Sequence, residues 1–99
     1  MISRKYDGKS NVIGNKIKNL RESLNLSQAE LSNKLMMLGI DINSDGIYKI
    51  EKGRKIVKDF ELSALSIVLG TSETDILSSF RKDLLEKWYF KEDSFVNPL

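Results

Sequence analysis

Between Asn43 and Lys55 the chain reads NSDGIYKIEKGRK, and Ser44, Asp45, Tyr48, Lys49 and Lys52 fall on one open face of a short helix. Asn43 or Ser44 can cap its start, Gly53 can end it, and only Ile47 and Ile50 are free to face a core. A hydroxyl, a carboxylate, a phenol and two ammonium groups form hydrogen bonds and ion pairs at a surface. Bond-breaking chemistry has little to draw on. The 99 residues contain no cysteine and no histidine, which removes a cysteine nucleophile, thiolate zinc sites, disulfides and the commonest base and metal ligand. The carboxylates are scattered, and neither a glycine-rich phosphate loop nor a nucleophile motif occurs, so no enzymatic activity, no metal and no cofactor are expected.

Charge is polarised along the chain. Residues 1–58 carry 12 Lys/Arg against 6 Asp/Glu, and residues 59–99 carry 4 against 8, for a net charge of +2. A basic half beside an acidic half points to one part that meets a polyanion and one that does not. The length suits one domain with one small core. No segment approaches the ~20 apolar residues of a membrane span and the N-terminus has no apolar signal run, so a cytoplasmic protein without membrane contact is the expectation.

The elements that must position the Asn43–Lys55 helix are all helical. Ile13, Ile17, Leu20 and Leu24 form an i, i+4, i+7, i+11 stripe over about Val12 to Leu24. Ser27 and Glu30 make a capping box that opens a second helix with Leu31, Leu35 and Leu38 on its core face, ended by Gly39. Asp59 caps a fourth helix carrying Leu62, Leu65 and Leu69 and stopped by Gly70. Thr71 or Ser72 caps a fifth carrying Ile76, Leu77 and Phe80. No useful run has the period of two that a strand requires. The chain divides into a basic, flexible arm over 1–11 with Arg4, Lys5 and Lys9, a helical domain over 12–79, and a short C-terminal helical extension over 80–99.

A capped second helix, a glycine and a short polar-faced third helix stand in the order of a helix-turn-helix. From about Ile13 to Leu77 the chain resembles the DNA-binding domain of the phage-repressor and Cro-type helix-turn-helix (XRE) family. The matching pieces are IGNKIKNLRESLNLSQAEL (13–31), IYKIEKGRK (47–55) and FELSALSIVLGTSETDIL (60–77). The resemblance implies an all-α, five-helix repressor-like fold. One departure is the stretch Leu35-Met36-Met37-Leu38-Gly39-Ile40-Asp41-Ile42, about five residues longer than the family's usual connection, which makes either the second helix longer or the turn wider.

The resemblance also implies roles on double-stranded DNA. Ser44, Asp45, Tyr48 and Lys49 match the positions that read base edges: Lys49 can donate to guanine O6/N7 or hold a phosphate, Asp45 can accept from cytosine N4, Ser44 can pair with several bases, and Tyr48 can pack on a thymine methyl or bond a phosphate. Gln28, Asn43, Lys16, Arg54 and Lys55 match phosphate-holding positions. Arg21 and Glu51 match a structural ion pair between the first and third helices. In the extension, Phe80, Leu84, Leu85 and Trp88 recur at helical spacing, and Tyr89, Phe90, Phe95 and Val96 follow. Such an apolar load marks an association surface. The expected function is a sequence-specific transcriptional regulator, a repressor binding a two-half-site operator as a homodimer. The alternative is an antitoxin or accessory subunit whose last twenty residues hold a protein partner.

Overall fold

The structure, a computed structural model, describes residues 5–96, with side chains described as far as Lys91. Arg4 of the basic arm and the side chains of Phe95 and Val96 lie outside these. Five helices follow one another: α1 Gly14–Ser23, α2 Gln28–Met36, α3 Ser44–Glu51, α4 Asp59–Val68 and α5 Glu73–Val96. The only extended pairing among the described residues is an isolated bridge between Tyr6 and Lys9.

The apolar stripes converge on one core. Ile17 of α1, Leu31 and Leu35 of α2, Ile47 and Ile50 of α3 and Leu65 of α4 are all fully buried. Around them Ile13, Ile42, Leu69 and Ile76 close the cluster. At roughly 1.5–3 kcal/mol per fully buried aliphatic side chain, these residues supply the main driving force for folding. The stripes of α1 and α2 each overshoot by one residue. Leu24 and Leu38, expected in the core, are each 48% exposed, because α1 ends at Ser23 and α2 at Met36 and neither residue keeps its place on the stripe.

The caps form at the expected ends with one change. Ser27 Oγ accepts from Glu30 N–H at 3.0 Å while the Glu30 carboxylate accepts from Ser27 N–H at 2.8 Å, a complete capping box. Asn43, and not Ser44, caps α3, its Oδ1 accepting from Gly46 N–H at 2.7 Å. Asp59 is the first residue of α4 and not its cap; the Glu61 carboxylate accepts from Lys58 N–H at 2.9 Å instead. Ser72 caps α5 by accepting from Asp75 N–H at 3.0 Å.

Of the two ways to place the extra residues after Leu35, the chain takes the wider turn. α2 stops at Met36, Ile40 N–H donates to Leu35 C=O at 3.1 Å, and Ile42 tucks into the core. Ser32 Oγ on α2 donates to Ile42 C=O at 2.6 Å and so pins the residue that leads into α3. Met36 and Met37 are left on the outside, Met37 84% exposed.

The C-terminal extension is not a separate element. One unbroken helix runs from Glu73 to Val96, 24 residues, about 36 Å long at 1.5 Å per residue. Its first turns pack on α4, where Ser63 Oγ donates to Glu73 at 2.6 Å, and Thr71 Oγ1, just before α5, donates to Asp75 at 2.6 Å. The outer half projects, which raises the radius of gyration to 16.1 Å against about 13 Å for a compact chain of this length.

Candidate nucleic-acid interface

α3 rests on α1 and α2, and its pose is fixed by a buried polar network. The Arg21 guanidinium grips the Glu51 carboxylate in two places, Nε to Oε2 at 2.6 Å and Nη2 to Oε1 at 3.1 Å, and its Nη1 donates to Leu26 C=O at 2.7 Å. Only 9% of Arg21 and 6% of Glu51 is exposed. The hydrogen bonds to Glu51 hold the arginine pKa above its already high ordinary value. A buried bidentate pair of this kind resists reorientation, because rotating either helix strands a charge out of water. The close approach of α1 to the end of α3 depends on Gly14: a Cβ there would stand 2.5 Å from Ile50 O and 2.6 Å from Glu51 O.

The third member of the network is Gln28. Its Nε2 donates to Glu51 Oε1 at 3.0 Å, so the amide expected on a phosphate is half-buried and committed in part to orienting Glu51. The start of α2 also carries first-turn backbone N–H groups that have no partner within the helix. A shallow cleft lies there, between α1, the start of α2 and α3, with Asn15, Lys18, Gln28, Tyr48 and Lys52 around it.

The open face of α3 carries Ser44, Asp45, Tyr48, Lys49 and Lys52, as its spacing dictates. Asp45 and Lys49 pair with each other at 3.1 Å, both well exposed. The Lys52 ammonium sits 5.7 Å from the centroid of the Tyr48 ring, and Tyr48 is 40% exposed. Exposed pairs of this kind are worth at most ~1 kcal/mol, so both lysines can exchange their partner for an anion or a base edge. Gly46 is explained from within the protein: a Cβ there would stand 2.8 Å from Ile42 Cγ2 and 3.3 Å from Asn43 Oδ1. It lets α3 seat on the widened turn, whatever lies outside.

At the far end of α3, Asn11 ties off the helix, its Nδ2 donating to Ile50 C=O at 3.1 Å and Lys55 C=O at 2.8 Å. Arg54 is exposed and Lys55 half-buried there. Lys16 is placed elsewhere. Its ammonium lies 3.6 Å from Asp75 of α5, on the side of α1 turned away from α3. Lys18, two residues on, faces the cleft instead. Lys18 and Lys52 were not assigned from the sequence; Lys18 sits three residues before Arg21, on the flank of α1 that must meet α3, and that register was the available signal.

The other expected surface divides by helical position. Leu84, Leu85, Trp88 and Tyr89 occupy one arc of α5, with Trp88 61% and Tyr89 59% exposed. Phe80 stands at its edge: it lines one groove with Leu84, Leu85 and Trp88, and its half-buried ring also meets Tyr6 edge-on at 5.0 Å. Phe90 lies on the Tyr6 and Lys87 side of the helix.

Among the described residues no group of acidic side chains could hold a metal ion, and no helix is long and apolar enough to cross a membrane. A family model described as helix-turn-helix matches residues 17–76, from the middle of α1 to the first turn of α5. A search of the curated proteins gives no match.

Proposed function

The chain belongs to the XRE-type helix-turn-helix family, whose members are DNA-binding transcription regulators, and from that premise we propose that it is a repressor that binds a two-half-site operator as a homodimer. The observation that carries this is the pairing of two unlike exposed helices in one domain. α3 offers hydrogen-bonding side chains at the scale of a major groove, and the outer half of α5 offers an apolar stripe.

Ser44, Asp45, Tyr48 and Lys49 read base edges from the N-terminal part of α3. Arg54, Lys55, Asn43 and the N-terminus of α2 with Gln28 hold phosphates on either side, joined by Lys18 and Lys52 at the cleft. Arg21 and Glu51 set the angle of α3 and touch no DNA. A single short α3 contacts too few base pairs for specificity, whereas two copies about a two-fold axis double the contacts. Leu84, Leu85, Trp88 and Tyr89 leave on the order of 300 Å² of apolar surface per chain, the right scale for the centre of an interface that buries ~800 Å² per partner. Residues 80–99 serve as the dimerisation segment. A repressor needs no more than this, because occupying the operator excludes other proteins from it.

Selection of bound duplexes from a random pool, followed by analytical ultracentrifugation with and without the selected site, tests the proposal. The expected result is a palindromic site with half-site centres about 34 Å apart, bound by two chains, with log K falling by about 0.9 per neutralised phosphate as log salt rises. A full-length protein that stays monomeric on a non-repeated site overturns the dimer. Binding that ignores salt overturns the interface.

A further inference from the structure

The short segment before α1 was expected to be a flexible arm, yet from Tyr6 on it is folded and docked at both ends. Tyr6 N–H donates to Lys9 C=O at 2.8 Å and Lys9 N–H to Tyr6 C=O at 2.9 Å. Asp7 and Gly8 between them have φ of 50° and 75°, the two positive values of a type I′ turn. On one side this turn holds α5. The Tyr6 ring stands edge-on to Phe80, its hydroxyl accepts from Lys87 Nζ at 2.6 Å, and the Lys87 ammonium lies 5.1 Å from the ring centroid. On the other side it holds the end of α3. Ser10 N–H donates to Gly53 C=O at 2.7 Å, the Lys9 stem packs over Gly53, and Asn11 bonds the carbonyls of Ile50 and Lys55.

We infer that residues 6–11 form a strap that fixes the angle between α3 and the outer half of α5, with Tyr6 as the positioning residue that sets the half-site spacing a dimer accepts. The inference rests on the homodimer proposed above. The strap grips α5 on the Phe80–Lys87 face and leaves the Leu84–Trp88 face open, so it steers the helix without covering the stripe. The lever is long. From Leu84 to Val96 the helix extends about 20 Å, and a tilt of about 10° moves its tip by roughly 3.5 Å, one base-pair step. Deforming DNA to make up such a mismatch costs energy, so a fixed angle becomes a preference for one spacing.

The test uses the full chain as wild type, Tyr6→Phe, Tyr6→Ala and Lys87→Met. Binding is measured to a single half-site, to the selected operator, and to operators with one base pair added or removed between half-sites. Wild type should favour the selected spacing by about tenfold, a difference of ~1.4 kcal/mol. Tyr6→Ala should keep half-site affinity within about twofold and flatten the spacing preference, and Tyr6→Phe, which keeps the ring contacts, should restore most of it. An unchanged spacing preference in Tyr6→Ala overturns the strap. A wild type that gains nothing from a second half-site overturns the dimer instead, and the strap is then decided without DNA. Because the chain has no cysteine, spin labels on Lys34→Cys of α2 and on the exposed Lys91→Cys in the outer part of α5 report the angle alone. One narrow distance distribution should broaden on adding Tyr6→Ala or Lys87→Met, and equal widths in all three overturn the inference even where Tyr6→Ala lowers the melting temperature.

Discussion

α3 and the outer half of α5 both present their side chains to solvent, but they are held in opposite ways. α3 is short and polar outside, and a buried network, Arg21 to Glu51 to Gln28 with Asn11 at its end, fixes it from within. α5 beyond Phe80 is long and apolar outside, and it is held by contacts that are themselves exposed, chiefly Tyr6 with Lys87. The difference is one of stiffness. Breaking the first arrangement strands a buried charge, whereas breaking the second frees groups that water can satisfy. A surface proposed to match base edges within fractions of an ångström needs the first kind of support, and the second kind sets an angle that a single substitution can loosen.

The largest effect that would break this contrast concerns stability. Arg21→Ala should cost ~3–5 kcal/mol by leaving Glu51 buried without its counter-charge, and Trp88→Ser should change the monomer's stability by no more than about 0.5 kcal/mol. Urea melts at low protein concentration measure both. Similar losses in the two variants would mean that α5 is part of the core and that the contrast is false. Next comes Gly14→Ala, which drives a methyl group into the Ile50 and Glu51 carbonyls and should cost about 1–3 kcal/mol. A neutral result would show that α1 and α3 slide easily and that α3 is no stiffer than α5.

Two substitutions sharpen the picture within the surface proposed to face DNA. Lys49→Ala should cost ~1–3 kcal/mol on the best site and relax preference at one base pair, while Arg54→Ala should weaken all sequences alike and lower the salt slope by about one. Binding profiles over a mutated-site library separate them, and identical profiles for wild type and Lys49→Ala would demote Lys49 to a phosphate contact.

The smallest effect is the response to acid. Hydrogen bonds from Ser27 hold Glu30 below the ordinary carboxylate range, Ser63 does the same for Glu73, and Thr71, with Lys16 nearby, for Asp75. A carboxylate whose pKa is lowered by folding stabilises the fold while ionised. That stabilisation is complete above the unfolded value and is lost as pH falls through the lowered folded value. Melting temperature should therefore be flat between about pH 7 and 5 and should drop below about pH 4. Two of the three groups sit at the root of α5, so the fluorescence of Trp88, the one tryptophan, should shift no later than the far-ultraviolet signal of the body.

The sequence by itself determined most of what is local. Apolar spacing placed Ile17, Leu31, Leu35, Ile47, Ile50 and Leu65 in the core, because a 3.6-residue period leaves them no other common face. The Ser27–Glu30 box and the open face of α3 were legible for the same reason. Even the turn before α1 has a local trace, since Asp7-Gly8 is a strong two-residue turn signal. What only the tertiary structure decided are contacts between residues far apart in the chain. Tyr6 and Lys87 are separated by 81 positions, and Gln28 and Glu51 by 23. Lys16 and Lys18 differ only in which neighbour their flank of α1 meets. Leu24 and Leu38 fit the stripe and miss the core because their helices stop short of them. Periodicity defines a face, but how helices cross, and therefore what each face meets, depends on the packing of the whole core at once.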